Sequence, residues 1–151
     1  MPISDWRVVK GGLPLRMTSD ELKKRTKQFS LRVLKLVAAL PNTVAGRAIG
    51  AQLVRSGTSV GANYRAACRG RSKAEFVAKM GTCEEEADES AYWMEVIIEG
   101  ELLKPNQVES LRREADELTK IFARSRISAS RSLARARLQK SNRQLAIDNR
   151  Q

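Results

Sequence analysis

Leu22, Thr26, Phe29, Val33, Leu36 and Leu40 recur at steps of four and three, which puts them on one side of a helix. Lys23, Lys24, Arg25, Lys27, Arg32 and Lys35 fall largely on the other sides. Thr18 and Glu21 have capping-box spacing, and Asp20 and Glu21 suit the positive end of a helix dipole. The pattern predicts a first helix from near Thr18 to a stop at Leu40-Pro41-Asn42. A second run begins near Asn42 or Thr43 and reaches about Arg69, with Ile49, Leu53, Val60 and Tyr64 as its core stripe. Gly46, Gly50, Gly57 and Gly61 project onto nearly the same side. Each costs about 1 kcal/mol relative to Ala inside a helix, so four on one side predict close backbone approach there. A break at Gly57-Thr58-Ser59 is the alternative; the unbroken period favours one continuous helix.

Gly70-Arg71-Ser72 has the composition of a turn, and Ser72 with Glu75 repeats the capping-box spacing. Phe76, Met80, Cys83, Ala87, Ser90, Met94 and Ile97 then form a third seam, widened by Val77, Ala91 and Ile98. Tyr92, Trp93 and Val96 lie on another side of the same helix. A helix apolar on two sides must bury both, so these three are candidate subunit-interface residues. Leu103-Lys104-Pro105-Asn106 ends the third helix and starts a fourth, with Asn106 as its cap and Glu109 three residues on. Val108, Leu111, Ala115, Leu118 and Phe122 make its seam, with Ile121 beside it. Four amphipathic helices with short connections predict an all-α, antiparallel up-down-up-down four-helix bundle over residues 18–123. Residues 1–17 show no sustained period and form an irregular leader, in which Trp6, Val8 and Val9 could pair with a neighbour. Residues 124–151 are Ser/Arg-rich, either a helical extension or partly disordered without a partner.

Charge changes this picture. The chain carries +11, and residues 124–151 hold eight basic residues against the single acid Asp148. Such a tail favours polyanions, nucleic acid before anionic lipid. Arg65, Arg69, Arg71 and Lys73 cluster around the turn that Ser72 closes, and a helix start beside them suits phosphate. A solvated loop balancing the acids downstream is the plainer reading of the same residues. No row of exposed aromatics accompanies them, so base stacking is poorly supported.

The chain has no histidine. That removes Ser-His-Asp and Cys-His nucleophiles and the Glu-x-x-His di-iron bundle. Glu84, Glu85, Glu86, Asp88 and Glu89 are consecutive or nearly so and point to different sides, which predicts a salt-bridged face rather than a metal site. Glu84 sits at the edge of the core seam and needs a cation, for which the second helix offers Arg55, Arg65 and Arg69. Ser59 and Asn63, one turn apart on the small-residue helix, are expected to bond across the helix interface. Cys68 and Cys83 lack metal-ligand spacing and are expected to be free thiols in a reducing, cytoplasmic setting. No segment has the roughly 18 apolar residues of a membrane span.

The run Gln52-Leu53-x-Arg55-Ser56-x-x-Ser59-Val60-x-x-Asn63, followed by Arg71-Ser72-Lys73-x-Glu75-Phe76, resembles a known four-helix bundle family over about residues 29–122. That family includes proteins encoded in intervening sequences of bacterial large-subunit ribosomal RNA genes, and accessory variability determinants of diversity-generating retroelements. The resemblance implies an antiparallel bundle, a ring-shaped homopentamer with a basic surface, and RNA or reverse-transcriptase partners rather than catalysis.

Together these readings predict a non-enzymatic, oligomeric nucleic-acid-binding scaffold without cofactor or metal. RNA, or a DNA/RNA hybrid, is the expected ligand. Its phosphates would be met by Arg65, Arg69, Arg71 and Lys73 in the turn and by Arg124, Arg126, Arg131, Arg135, Arg137 and Lys140 in the tail. The alternative is an adaptor that docks on a reverse transcriptase or another nucleic-acid enzyme. A carboxylate hydrolase lacks an acid/base pair with a supporting residue.

Overall fold

The computed structural model describes residues 17–148. The proposed arm around Trp6, Val8 and Val9, and Arg150 at the other end, lie outside the described residues. Four helices follow one another: α1 (Ser19–Ala38), α2 (Val44–Cys68), α3 (Lys73–Glu99) and α4 (Pro105–Asp148). Each packs on the next, and α4 closes back on α1. The bundle is all-α and antiparallel. Ser30 faces Gly57 while Thr26 faces Gly61, so α1 and α2 run in opposite senses. Ser56 meets Ser90 and Val60 meets Cys83, which sets α2 against α3. Glu95 meets Arg112, Glu84 meets Arg126 and Lys73 meets Ser132, which sets α3 against α4.

The seams fill the core as their period requires. Phe29, Val33, Leu53, Val60, Met80, Met94, Ile97, Leu118 and Phe122 are all almost inaccessible to solvent. Tyr64 packs on Phe122 with ring centroids 5.7 Å apart. Helix α2 is continuous through Gly57, and Gly46, Gly50, Gly57 and Gly61 are all buried. Gly57 shows why: a Cβ there would lie 2.7 Å from Val33 Cγ2. The helix accepts the entropy cost of glycine because α1 comes too close for a side chain.

The ends differ in detail from the spacing rules. Thr18 and Glu21 form a complete capping box, Thr18 accepting from the Glu21 N–H and Glu21 accepting from the Thr18 N–H. At α3, Ser72 accepts from the Glu75 N–H, but Glu75 reaches one residue further back and accepts from the Arg71 N–H at 2.9 Å. At α4 the expected Asn106 cap is incorrect. The helix begins at Pro105, whose fixed φ suits a first helical position. Gln107, not Glu109, turns back and accepts from the Lys104 N–H at 3.1 Å. Glu109 instead pairs with Arg112 and Arg113. Helix α3 ends in a Schellman motif, with the Leu102 N–H donating to Ile97 O and the Glu101 N–H to Ile98 O. Glu101 occupies the left-handed position at φ 57°.

Helix α4 is the outlier in length. At about 1.5 Å per residue its 44 residues span about 66 Å, against about 40 Å for α3. Its last contact with the rest of the bundle is at Ser132 and Leu133, and residues 134–148 are exposed on every side.

A candidate nucleic-acid interface at one end of the bundle

Most arginines of the bundle outside the 65–73 turn are committed to carboxylates. Arg25 is bidentate to Glu114 at 2.7 and 2.8 Å, tying α1 to α4. That hydrogen bonding holds the Arg25 guanidinium above its already high usual pKa. Arg55 bonds Glu86 and Glu89 together, so α2 is clamped to α3. Arg112 gathers Glu109, Asp116 and Glu95. Hydrogen bonds from Arg112 first, then Arg113, pull the Glu109 carboxyl down to about 2. The acidic run of α3 is thus largely a salt-bridged face. Among the described residues no group of His, Cys, Asp and Glu is placed to hold a metal ion.

Glu84 is paired, but not with α2 as its position suggested. Its partner is Arg126 of α4, with Nε 2.6 Å from Oε2. Arg126, counted among the tail cations, therefore holds α4 on α3. Arg55 is taken by other acids, and α2's Arg65 and Arg69 point to solvent. Ser59 also differs from expectation. Its hydroxyl donates to Arg55 O in its own helix, and Asn63 donates to Ser59 O. Only Asn63 Oδ1 reaches another helix, accepting from Lys79 at 3.5 Å. A fully buried polar bond across α2 and α3 is made instead by Ser56 and Ser90, whose hydroxyls lie 2.9 Å apart. Ser56 falls at the helical step between Leu53 and Val60, so the period itself marked it. Ser30 adds a bond to Gly57 O.

The two basic segments singled out by sequence, some 60 residues apart, meet in space. Lys73 Nζ lies 3.1 Å from Ser132 Oγ, which seats the 69–73 turn against α4 where that helix leaves the bundle. Arg65, Arg69 and Arg71 are exposed there, and so are Arg124, Arg131, Arg135, Arg137 and Lys140. None of these eight has an acidic partner among the described residues, whereas Lys73 and Arg126 are both engaged. Taking the bundle at its middle, residues 17–30, 60–82 and 119–148 carry 17 basic and 4 acidic residues. Residues 31–59 and 83–118 carry 7 basic and 12 acidic ones. One end is strongly cationic and the other anionic.

The candidate interface residues lie in the anionic half. Tyr92 is 56% exposed and stands edge-on to Trp93, whose ring N–H donates to Glu89. Trp93 and Val96 are half-buried. Cys68 and Cys83 are free, and burial pushes the Cys83 thiol up to about 12. An open apolar groove of about 560 Å³, lined by Val37, Leu40, Gly50 and Val54, lies where α1 ends and α2 begins, away from the cationic end. No described helix is long and apolar enough to cross a membrane.

These features define a small all-α protein, an antiparallel four-helix bundle with one cationic end. The chain belongs to the 23S rRNA-intervening sequence protein family, whose family model matches residues 19–124. It is similar in structure to a protein of unknown function from the S23 ribosomal protein family of Bacteroides thetaiotaomicron. That crystal structure shares 32% identity at a TM-score of 0.63, covering 70% of this chain and 94% of the other. No curated protein matches. The family match stops at residue 124, so the projecting part of α4 lies outside it.

Proposed function

We propose that this protein is a non-catalytic nucleic-acid-binding scaffold that takes RNA through its cationic end. The observation that carries this reading is the sorting of arginines. Arg25, Arg55, Arg112, Arg113 and Arg126 are paired with carboxylates, while Arg65, Arg69 and Arg71 of the turn and Arg124, Arg131, Arg135 and Arg137 of α4 have no acidic partner among the described residues. Cations that serve stability are paired; unpaired ones brought together from two segments suit a phosphate backbone. The family's name adds an association with ribosomal RNA genes. Titration of a structured RNA at several salt concentrations tests the reading. Affinity should fall steeply, with a slope on the logarithmic scale matching several phosphate contacts. Salt-insensitive binding, or none, would remove it.

The same proposal includes self-association through the exposed Tyr92 and its neighbours Trp93 and Val96, with the ring of five implied by family resemblance as its form. Light scattering should give a multiple of the 16.8 kDa chain. A monomer would end that part. A second reading rests on the same exposed Tyr92 in the anionic half: an adaptor surface for a nucleic-acid enzyme such as a reverse transcriptase. Partners recovered from lysate after nuclease treatment favour it.

A further inference from the structure

Phe122, Ala129, Leu133, Ala136 and Lys140 recur at seven, four, three and four along α4, so they share one side. As far as Ala129 that side is buried in the bundle. Beyond Leu133 the bundle has ended, and the same side changes from apolar to cationic. Lys140 lies on it, with Arg137 and Arg143 three residues away on either flank. This arm of about 16 residues projects about 24 Å. Its inner side overhangs the end of the bundle, where Arg69 and Arg71 are exposed and Lys73 is fixed to the arm's root at Ser132. The arm and the end surface therefore form a corner with cations on both walls.

We propose that this corner seats double-stranded RNA, its backbone lying along the arm and its phosphates meeting both walls. The inference rests on the nucleic-acid reading above and narrows it to a duplex. Three observations support the narrowing. The cations stand on a continuous helix and a capped turn, so their spacing is set in advance and suits a rigid, densely charged ligand. A single strand is usually held by bases stacked on aromatic rings. Among the described residues the aromatics near this end, Phe29, Tyr64, Phe76 and Phe122, are buried, and the exposed Tyr92 is in the other half. Finally, Gln139, Ser141, Asn142 and Gln144 interleave with the arm's cations. These side chains donate and accept, which matches the 2′-hydroxyls displayed along an A-form helix.

The test uses the full chain and three probes: a 20-base-pair RNA duplex, one of its strands, and the same duplex in DNA, with circular dichroism of the protein alone as the folding control. Fluorescence anisotropy reads the affinity. The RNA duplex should bind at least tenfold tighter than the single strand and the DNA duplex. The arm pair Arg137→Glu with Lys140→Glu, and the turn pair Arg69→Glu with Arg71→Glu, should each weaken it tenfold or more. The outer pair Arg124→Glu with Arg131→Glu, on the far side of α4, should weaken it less than threefold. A single strand or DNA bound as tightly as duplex RNA overturns the duplex-RNA assignment while leaving nucleic-acid binding intact. An outer pair more damaging than the arm pair overturns the corner. Failure to bind any probe overturns this inference and the proposed function together. All six positions are exposed, so each variant is expected to keep the parent's helix content.

Discussion

Arg126 holds Glu84 across α3 and α4, with Nε 2.6 Å from one carboxylate oxygen and Nη2 3.3 Å from the other. The geometry is bidentate, but the side chains are 37% and 25% exposed. Water screens such a pair, so Arg126→Gln should cost about 1 kcal/mol or less in a denaturant titration. A double-mutant cycle with Glu84→Gln should give a coupling of similar size. The same variant should lower RNA affinity less than Arg137→Gln, because Arg126 is already occupied while Arg137 is exposed on the arm. Equal losses from the two would show that Arg126 releases Glu84 on binding.

Two glycines should respond to alanine with opposite signs. At Gly57 a Cβ meets Val33 Cγ2 at 2.7 Å and Cγ1 at 3.0 Å, so α1 must move or Val33 must leave its rotamer. Overpacking of this kind costs about 1–3 kcal/mol, more than the roughly 1 kcal/mol that alanine returns in helix propensity. At Gly81 the nearest atom is Arg126 Cδ at 3.4 Å, an ordinary contact. Gly81→Ala should therefore stabilise by up to about 1 kcal/mol. Thermal melts of the two variants check both signs.

Glu101 sits in the left-handed region at φ 57°, where a side chain costs about 1–2 kcal/mol. Glycine removes that cost and gives back part of it as chain entropy in the unfolded state. Glu101→Gly should raise stability by roughly 0.5–1 kcal/mol. The preceding Gly100 should not tolerate the reverse change, because a Cβ there lies 2.8 Å from Val96 O.

Burial raises the Cys83 thiol from about 9 to about 12, and burial raises the Tyr64 hydroxyl as well. The folded chain keeps these protons to higher pH than the unfolded chain does. Their contribution is full below about pH 9 and is lost as pH rises toward 12. Denaturation midpoints should fall between pH 8 and pH 11, and Cys83→Ala should flatten that fall. A thiol reagent should reach Cys83 only at the rate of unfolding.

Much of the fold was legible because the seams keep one period. Every seam residue named for α1, α3 and α4 is buried except Leu40, half-exposed past the end of α1, and Val77 and Ile98, partly buried at the edge of the α3 seam. The glycine row of α2 likewise announced the close approach of α1. Partner choice was not legible. Glu84 and Arg126 are 42 residues apart, and nothing local ranks Arg126 above Arg55 or Arg65. Three-residue spacing also misled at α4, where Pro105 fixes the start and overrides the Asn106–Glu109 pair. The convergence of turn and tail depended on where α4 crosses the start of α3, which only the packed bundle defines.

The split of charge, 17 basic to 4 acidic at one end and 7 to 12 at the other, is a dipole along the long axis of the molecule. In the field of a polyanion it produces a torque before any contact forms, so molecules arrive turned cationic end first. The advantage appears in association rate more than in lifetime. It fades as the Debye length shrinks from about 10 Å at 0.1 M salt to about 3 Å at 1 M. Salt therefore scrambles the direction of approach before it loosens the grip.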